Sequence, residues 1–215
     1  MTAMTRIYLV RHGTTEWNQE EIFRGLSDCP LNDTGREEAQ ALEGRFRETW
    51  IDCIYSSPLS RTMETAWAIA TPKGLTVIPD SAWIDLNYGL WQGLPRKEVE
   101  KKYPDLYRLW REEPQQVAFP GGESLARVRG RAWEGLVRVV RENREKTILI
   151  VSHRVVTKVL ICAAMGLDDS HFWQIKQDPA AVNCFEYAEG KWVISLINDT
   201  CHMKTIHFGH SRKDF

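Results

Sequence analysis

The chain alternates short, continuous apolar runs with stretches in which apolar residues recur every three or four positions. Continuous apolar runs are typical of strands buried on both faces of a sheet, whereas the three-to-four spacing is typical of amphipathic helices. Four such runs predict strands at residues 7–10, 53–55, 75–78 and 147–151. Two further runs, at 184–187 and 192–194, predict a closing hairpin around residues 189–191 (EGK).

Two helical patterns are preceded by start signals. Residues 34–37 (TGRE) fit a capping box, and Ser57 followed by Pro58 predicts a cap and a first helical position for a helix that ends at about Ala70. A further helix is predicted over about 155–165. A longer one is predicted by an apolar stripe, formed by Leu125, Val128, Ala132, Leu136 and Val139.

Strand and helix patterns that alternate in this way predict an α/β fold. We therefore expect a three-layer α/β/α sandwich with a mostly parallel central sheet, in a single domain over residues 1–215. Residues at about 83–123 have the least regular pattern and are rich in tryptophan, tyrosine and charge. This region predicts a lid-like insertion that covers one edge of the sheet and is not a second domain.

Composition narrows the classes of function. The 215 residues carry a formal net charge of −1, so no global positive field argues for nucleic acid or an anionic membrane as a partner. No apolar run approaches the roughly 18 residues of a membrane span. The five cysteines are widely spaced, odd in number and without a CxxC pair. This pattern favours a reducing compartment, and we expect the protein in the cytoplasm.

Polar residues of one kind follow three of the predicted strands. The first strand runs into RHG at 11–13, the second into Ser56-Ser57 with Arg61 one turn later, and the fourth into SHR at 152–154. Ligands of open α/β sheets bind beyond the carboxyl ends of the strands, so two histidines and at least two arginines are expected to meet there. This local positive charge predicts an anionic guest. A phosphoryl group fits because arginine binds it bidentately.

Each of these residues alone has a structural interpretation. A lone histidine after a strand is more often a hydrogen-bonded structural residue, and Arg61 alone would be interpreted as a solvated helix charge. The same structural interpretation applies individually to His171, His202, His207 and His210. The prediction of function therefore rests on the coincidence of several groups.

Spacing tests the competing phosphate chemistries. The chain has no GxxxxGK[ST] loop, no cysteine with an arginine six positions later, and no Asp-x-Asp pair. A metal site built on His12 and His153 is disfavoured because the arginines beside both histidines would repel a cation. Nucleophilic histidine is the chemistry that remains.

Four sequence blocks resemble the histidine phosphatase (phosphoglycerate mutase-like) superfamily. They are RHG at 11–13 with Trp17-Asn18 just after it, LNDTG at 31–35, SSPLSRTMETA at 56–66, and Ser152-His153. The blocks stand in the family's order and span nearly the whole chain. The resemblance implies a phosphatase that needs no metal and no organic cofactor.

The resemblance also implies roles for single residues. His12 would attack phosphorus and carry the phosphoryl group. The equatorial oxygens would be bound by Arg11, Arg61 and His153. Further contacts to the phosphate or to the rest of the substrate are implied for Asn18, Arg24, Gly25 and Arg154. Positioning and electrostatics of this kind are what phosphoryl transfer requires.

The general acid departs from the family pattern. The family's usual glutamate, in a pattern like LxExxxGxWEG, is matched here by Asp85 in WIDLNYGLWQG (83–93), and Gln92 replaces a second usual glutamate. Asp is shorter by one methylene, about 1.5 Å of reach. Three interpretations stay open: a working acid in a rebuilt pocket, a weakened acid in a slow or narrowly specific enzyme, or a non-catalytic protein that binds phosphate ligands.

The segment around Asp85 also bears on the branch of the family. The compact NYGLWQGL (87–94) differs from the HYGxLxGL of the longer mutases, so hydrolysis is favoured over phosphoglycerate mutase activity. Residues 112–124 and 198–202 resemble metal-independent phosphoserine phosphatases, alongside α-ribazole-phosphate and broad-specificity phosphatases.

Tyr88 and His202 are the predicted contacts to the non-phosphate part of the substrate. The expected substrate is a small phosphorylated metabolite, and phosphoserine is the first candidate. A homodimer, paired through an edge strand or the C-terminal tail, is left open.

Overall fold

The computed structural model describes residues 4–203, so His207 and His210 lie outside the described residues. The strands are β1 (Thr5–Arg11), β2 (Cys53–Ser56), β3 (Val77–Pro79), β4 (Thr147–Ser152), β5 (Val182–Ala188) and β6 (Lys191–Asp199). They form one sheet in the order β3-β2-β4-β1-β5-β6. The first four run parallel to one another, and β5 and β6 add an antiparallel pair beside β1.

Helices cover both faces of the sheet. They are α1 (Glu16–Gln19), α2 (Asp33–Phe46), α3 (Ser60–Ala70), α4 (Arg96–Lys102), α5 (Pro104–Glu112), α6 (Leu125–Glu142) and α7 (Arg154–Ala164). Ile7 and Leu9 of β1 pack into a core with α6 and α7, whereas Val10 packs into a second core with α2 and α3. This alternation follows from the period of two along a strand. The predicted three-layer α/β/α sandwich is confirmed.

The predicted elements at the end of the chain and in α6 are also found. All five residues of the apolar stripe on α6 are buried. The hairpin between β5 and β6 turns at Glu189 and Gly190, both with positive φ (50° and 77°). Two left-handed residues in succession match the twist of the flanking strands.

Two predicted helix starts are wrong. Helix α2 begins at Asp33 because the Asn32 side chain caps it by accepting a hydrogen bond from the Gly35 amide (2.9 Å), so residues 34–37 are not its capping box. Helix α3 begins at Ser60, and Ser57 does not cap it. The Ser57 amide instead continues the sheet by donating to the Val151 carbonyl (3.0 Å).

Residues 83–123, predicted as a lid-like insertion, lie between β3 and α6. The segment contains α4 and α5, and its aromatic side chains pack into the same core as α6 and α7. Trp83, Trp91 and Trp110 are fully buried in that core. Aromatic rings that bury this much apolar area fix this segment against the core. Its role as a lid stays a prediction. Over residues 4–203, no helix is long and apolar enough to cross a membrane.

Candidate active site

The carboxyl ends of β1, β2 and β4 meet at one edge of the sheet. The register pairs Arg11 with Ser152, and the residues that follow the three strands are His12, Ser57 and His153. The His12 amide donates to the Ser152 carbonyl (3.0 Å), which holds the end of β1 beside the end of β4. The predicted convergence of these strand ends is thus observed.

The His12 ring is buried, and its Nδ1 lies 2.6 Å from the Gly13 carbonyl oxygen. A carbonyl only accepts hydrogen bonds, so Nδ1 carries the proton and Nε2 keeps its lone pair. Burial, and then the charges of Arg61 and Arg11, hold the pKa of His12 well below its ordinary value. The ring is therefore neutral near pH 7 and presents a nucleophilic nitrogen.

The loop after β1 is fixed by contacts with α2. The Thr14 amide donates to Oε2 of the buried Glu38 (2.7 Å), and the Thr14 hydroxyl donates to Oε1 (3.1 Å). Gly13 lies so close to Gly35 that a Cβ on Gly13 would be 2.6 Å from the Gly35 carbonyl oxygen. This packing leaves the His12 backbone little freedom to move.

Three buried arginines surround this loop. Arg61 donates to the Ser27 carbonyl through Nη1 and to the Gly25 carbonyl through Nη2, both at 2.9 Å. Arg11 donates to the Gln177 carbonyl. Burial, and then the charges of Arg61 and Arg11, lower the pKa of Arg24 below its ordinary value. The positive charge gathered here is of the kind that an anion such as a phosphoryl group would stabilise.

His153 lies across the site from His12, with 5.2 Å between the ring centroids. Its Nε2 is 2.8 Å from the Ser57 hydroxyl, which orients the ring. Burial, and then the charge of Arg61, hold the pKa of His153 well below its ordinary value. In the described part of the chain, Nδ1 of His153 has no hydrogen-bond partner.

Asp85 is brought to the same place by the segment that follows β3. Its Oδ2 lies 3.4 Å from Nη2 of Arg61 and 3.7 Å from Nδ1 of His153. Its Oδ1 accepts a hydrogen bond from the Leu86 amide (2.9 Å). The Asp85 side chain is 6% exposed, so it faces the site and not bulk solvent. The predicted acid is thus next to the predicted phosphate ligands.

A small cleft beside Asp85 contains two further predicted residues. Its lining includes Arg24, Tyr88 and Arg154 together with apolar atoms of Phe23. Burial raises the pKa of the Tyr88 hydroxyl, to which Arg154 donates a hydrogen bond. The cleft therefore combines two guanidinium groups with an aromatic wall around a cavity of about 10 Å³.

The other predicted site residues are placed less directly. The Asn18 side-chain oxygen accepts hydrogen bonds from the Thr15 amide (3.0 Å) and hydroxyl (2.9 Å), which forms the first turn of α1. Its contact to phosphate stays a prediction. His202 lies in the turn Cys201–Met203, which packs against α2, and its contact to substrate also stays a prediction.

Several residues that shape the site were not predicted from the sequence. Ser57 was predicted as a cap, and Glu38 and Arg131 were not singled out. Gln92 accepts a hydrogen bond from the Leu26 amide (2.7 Å) and so fixes the loop that presents the Gly25 carbonyl. Arg131 contacts the segment that carries Asp85. A charged residue on the buried side of a helical pattern is the signal that could have found Glu38.

Among residues 4–203, no group of three His, Cys, Asp or Glu side chains could hold a metal ion.

The model of the histidine phosphatase superfamily (branch 1) matches residues 7–200. The chain belongs to this superfamily. Phosphoserine phosphatase 1 of Hydrogenobacter thermophilus is 40% identical over 200 residues, which cover 93% of this chain and 95% of that protein. The family predicted from the four sequence blocks is confirmed, and the protein is a phosphatase.

Solved structures agree with this assignment. Bacillus stearothermophilus YhfR superposes with a TM-score of 0.90 at 29% identity, covering 93% of this chain and all of that one. A histidine-to-alanine mutant of the Entamoeba histolytica phosphoserine phosphatase, solved in complex with phosphoserine, superposes with a TM-score of 0.83 at 26% identity. That match covers 93% of this histidine phosphatase and 99% of the mutant chain.

Proposed function

We propose that this phosphatase hydrolyses a small phosphomonoester through a phosphohistidine on His12, without a metal ion. The observation that carries the proposal is the Nδ1 hydrogen bond of His12 to the Gly13 carbonyl. It leaves Nε2 as the free nucleophile among buried arginines. Those arginines supply the positive charge that a metal ion supplies in other phosphatases.

In the first step the Nε2 lone pair attacks phosphorus, and the bond from phosphorus to the ester oxygen breaks. The Asp85 carboxyl gives its proton to the departing oxygen, so the product leaves as an alcohol. Arg11, Arg61 and His153 bind the equatorial oxygens while the phosphoryl group transfers. The His12 ring becomes cationic, and the Gly13 carbonyl accepts its Nδ1 proton throughout.

In the second step water attacks the phosphohistidine. The Asp85 carboxylate takes a proton from this water, the bond from phosphorus to Nε2 breaks, and inorganic phosphate leaves. His12 returns to its neutral form. One carboxyl group thus serves as acid and then as base, as microscopic reversibility requires of an acid at this position.

The charges around the site favour a substrate that carries a carboxylate. Four buried guanidinium groups lie in and around the site, those of Arg11, Arg24, Arg61 and Arg154. Arg11 and Arg61 are the proposed ligands of the phosphoryl group. A carboxylate on the substrate could bind at the cleft lined by Arg24, Tyr88 and Arg154. Phosphoserine carries such a group, and the names of the Hydrogenobacter and Entamoeba relatives support it as the substrate.

A panel of phosphomonoesters assayed in the presence of a chelator tests the proposal. We expect phosphoserine to be preferred over α-ribazole phosphate and sugar phosphates, and His12→Ala to abolish turnover. A flat profile would favour a broad-specificity phosphatase. Transfer of the phosphoryl group to a phosphoglycerate would favour a mutase, and tight binding without turnover a non-catalytic protein. Intact turnover by His12→Ala would overturn the covalent mechanism.

The proposal extends to the setting of the enzyme. We infer that residues 1–215 act as one domain and that the protein works in the cytoplasm, where its five free cysteines would stay reduced. The net charge of −1 supports a small metabolite as partner and not nucleic acid or a membrane. A homodimer stays a prediction, and light scattering on the purified protein tests it.

A further inference from the structure

Arg131 lies on α6, and every N–H donor of its guanidinium group forms a hydrogen bond. The acceptors belong to the segment that carries Asp85 and to one carboxylate. Nη1 donates to the carbonyls of Ala82 (3.1 Å) and Ile84 (2.7 Å), and Nη2 donates to the Asp85 carbonyl (3.0 Å). Nε and Nη2 also donate to the two oxygens of Glu123 (3.0 and 3.1 Å). These five hydrogen bonds use all five N–H groups of an arginine.

Glu123 extends this clamp to the other side of Asp85. Its Oε2 accepts a hydrogen bond from the Asn87 amide (3.0 Å), and its own amide donates to the Asn87 carbonyl (2.9 Å). Arg131 and Glu123 therefore hold the backbone immediately before and after Asp85. Neither side chain is within hydrogen-bond distance of the Asp85 carboxyl itself among the contacts described.

Helix α6 is a rigid base for this clamp. Its apolar stripe is buried, and Gly135 lies so close to the segment that a Cβ there would be 2.6 Å from the Ala82 Cβ. The α6 backbone at Gly135, one turn after Arg131, thus packs directly against the Ala82 side chain. A guanidinium fixed on such a helix can hold carbonyl oxygens at set positions.

We propose that Arg131 is a positioning residue, which sets the distance between the Asp85 carboxyl and the leaving oxygen of the substrate. An aspartate cannot correct a misplaced backbone as a longer glutamate could, because it has one rotatable bond fewer. Its placement therefore depends on the carbonyls that Arg131 holds. This inference rests on the proposed function, in which Asp85 protonates the leaving group.

A misplaced acid has a kinetic signature that general damage lacks. An alkyl phosphate such as phosphoserine needs a proton on its leaving oxygen, whereas 4-nitrophenyl phosphate releases a stable anion without one. Loss of the acid should therefore slow the first substrate and spare the second. Damage to His12 or to the arginines should slow both.

Single-turnover phosphorylation by Arg131→Gln, Arg131→Lys and Glu123→Gln, each checked for a native circular dichroism spectrum, tests the proposal. We expect at least a tenfold slower reaction with phosphoserine and less than a threefold change with 4-nitrophenyl phosphate. Arg131→Lys should slow the reaction with phosphoserine as Arg131→Gln does, because lysine keeps the positive charge but not the planar set of N–H donors. Arg127→Gln, an exposed arginine on the same helix, is the control and should leave both rates unchanged.

Equal slowing of the two substrates, or normal rates in the Arg131 variants, would overturn the positioning role. Full rescue by lysine would overturn it too, since charge alone would then suffice. These outcomes are separate from failure of the proposed function. That failure would show as the lack of any phosphoenzyme in the unmodified enzyme, or as turnover by the His12→Ala variant.

Discussion

Oδ2 of Asp85 lies 3.4 Å from Nη2 of Arg61, while Oδ1 accepts a hydrogen bond from the Leu86 amide. One carboxyl oxygen is thus anchored to the backbone, and the other faces the arginine that the family resemblance assigns to the phosphate. An acid in this position can reach the bridging oxygen of a phosphate bound to Arg61. The shorter side chain is therefore compatible with a working acid.

Asp85→Asn should slow phosphoenzyme formation from phosphoserine by at least tenfold, within the usual range for a general acid. Asparagine keeps the shape of aspartate but has no proton of suitable acidity to give. Rapid-quench measurement of the burst separates this step from turnover. Asp105→Asn, a change at an exposed position in α5, is the control. An unchanged burst rate in Asp85→Asn would remove this residue from the mechanism.

Stability should fall as the pH drops below about 6.5, because the pKa values of His12 and His153 are lowered in the folded protein. Both rings stay neutral in the fold, whereas a free imidazole takes up a proton near pH 6.5. The unfolded state then binds more protons, so the free energy of unfolding decreases. The slope is at most about 1.4 kcal/mol per pH unit for each histidine.

Urea denaturation at pH 7.5, 6.5 and 5.5 measures this dependence. His12→Asn and His153→Asn should each flatten the slope over that range, because each removes one group that the fold keeps neutral. The same slope in both variants and in the unmodified enzyme would contradict the assignment of neutral histidines.

Much of the fold was readable from the sequence because its strands are buried on both faces. Runs such as 147–151 leave little choice but a central strand, and their order with the helices sets the layers. The helix starts were less readable. Ser57 and Asn32 are both good capping residues, and only tertiary contacts decide that Asn32 caps a helix while Ser57 bonds to His153.

The charged residues of the site could be predicted from the sequence, but the residues that hold them in place could not. Arg61 and His153 follow strands, so the sheet topology brings them together. Arg131 and Glu38 lie on helices far along the chain from the groups they hold. Most of their partners are backbone carbonyls and amides, which every residue carries, so no sequence pattern identifies those partners. The one signal is the position of Glu38 on the buried side of its helical pattern.

Gly35→Ala should destabilise the enzyme and impair activity, whereas Gly44→Ala should stabilise it. A Cβ on Gly35 would overlap the Thr14 carbonyl, while Gly44 of the same helix has open space around it. Overpacking of this kind costs about 1–3 kcal/mol, and replacing glycine inside a helix gains about 0.5–1 kcal/mol. Thermal denaturation of the two variants measures the contrast. A melting temperature that rises in both would contradict the close packing of the His12 loop on α2.

Ser57→Ala should lower kcat/KM about fivefold, the equivalent of one hydrogen bond of about 1 kcal/mol. The hydroxyl lies 2.8 Å from Nε2 of His153, and without it the ring loses its orientation. Steady-state assays with phosphoserine measure the change. Ser195→Ala, which removes a hydroxyl from β6, should keep the activity of the unmodified enzyme. Equal activity of the two variants would show that Ser57 does not orient His153.

Arg154→Gln should raise KM for phosphoserine at least tenfold and leave KM for phosphoethanolamine nearly unchanged. The two substrates differ by the carboxylate alone, and the cleft that holds Arg24, Tyr88 and Arg154 is the place proposed for that group. A charge-assisted hydrogen bond contributes about 1.5–3 kcal/mol, which corresponds to a loss of tenfold or more. The ratio of kcat/KM for the two substrates, measured for the unmodified enzyme and for Arg154→Gln, isolates this contribution. If Arg154→Gln weakens both substrates equally, Arg154 binds the phosphate, and the carboxylate is held elsewhere.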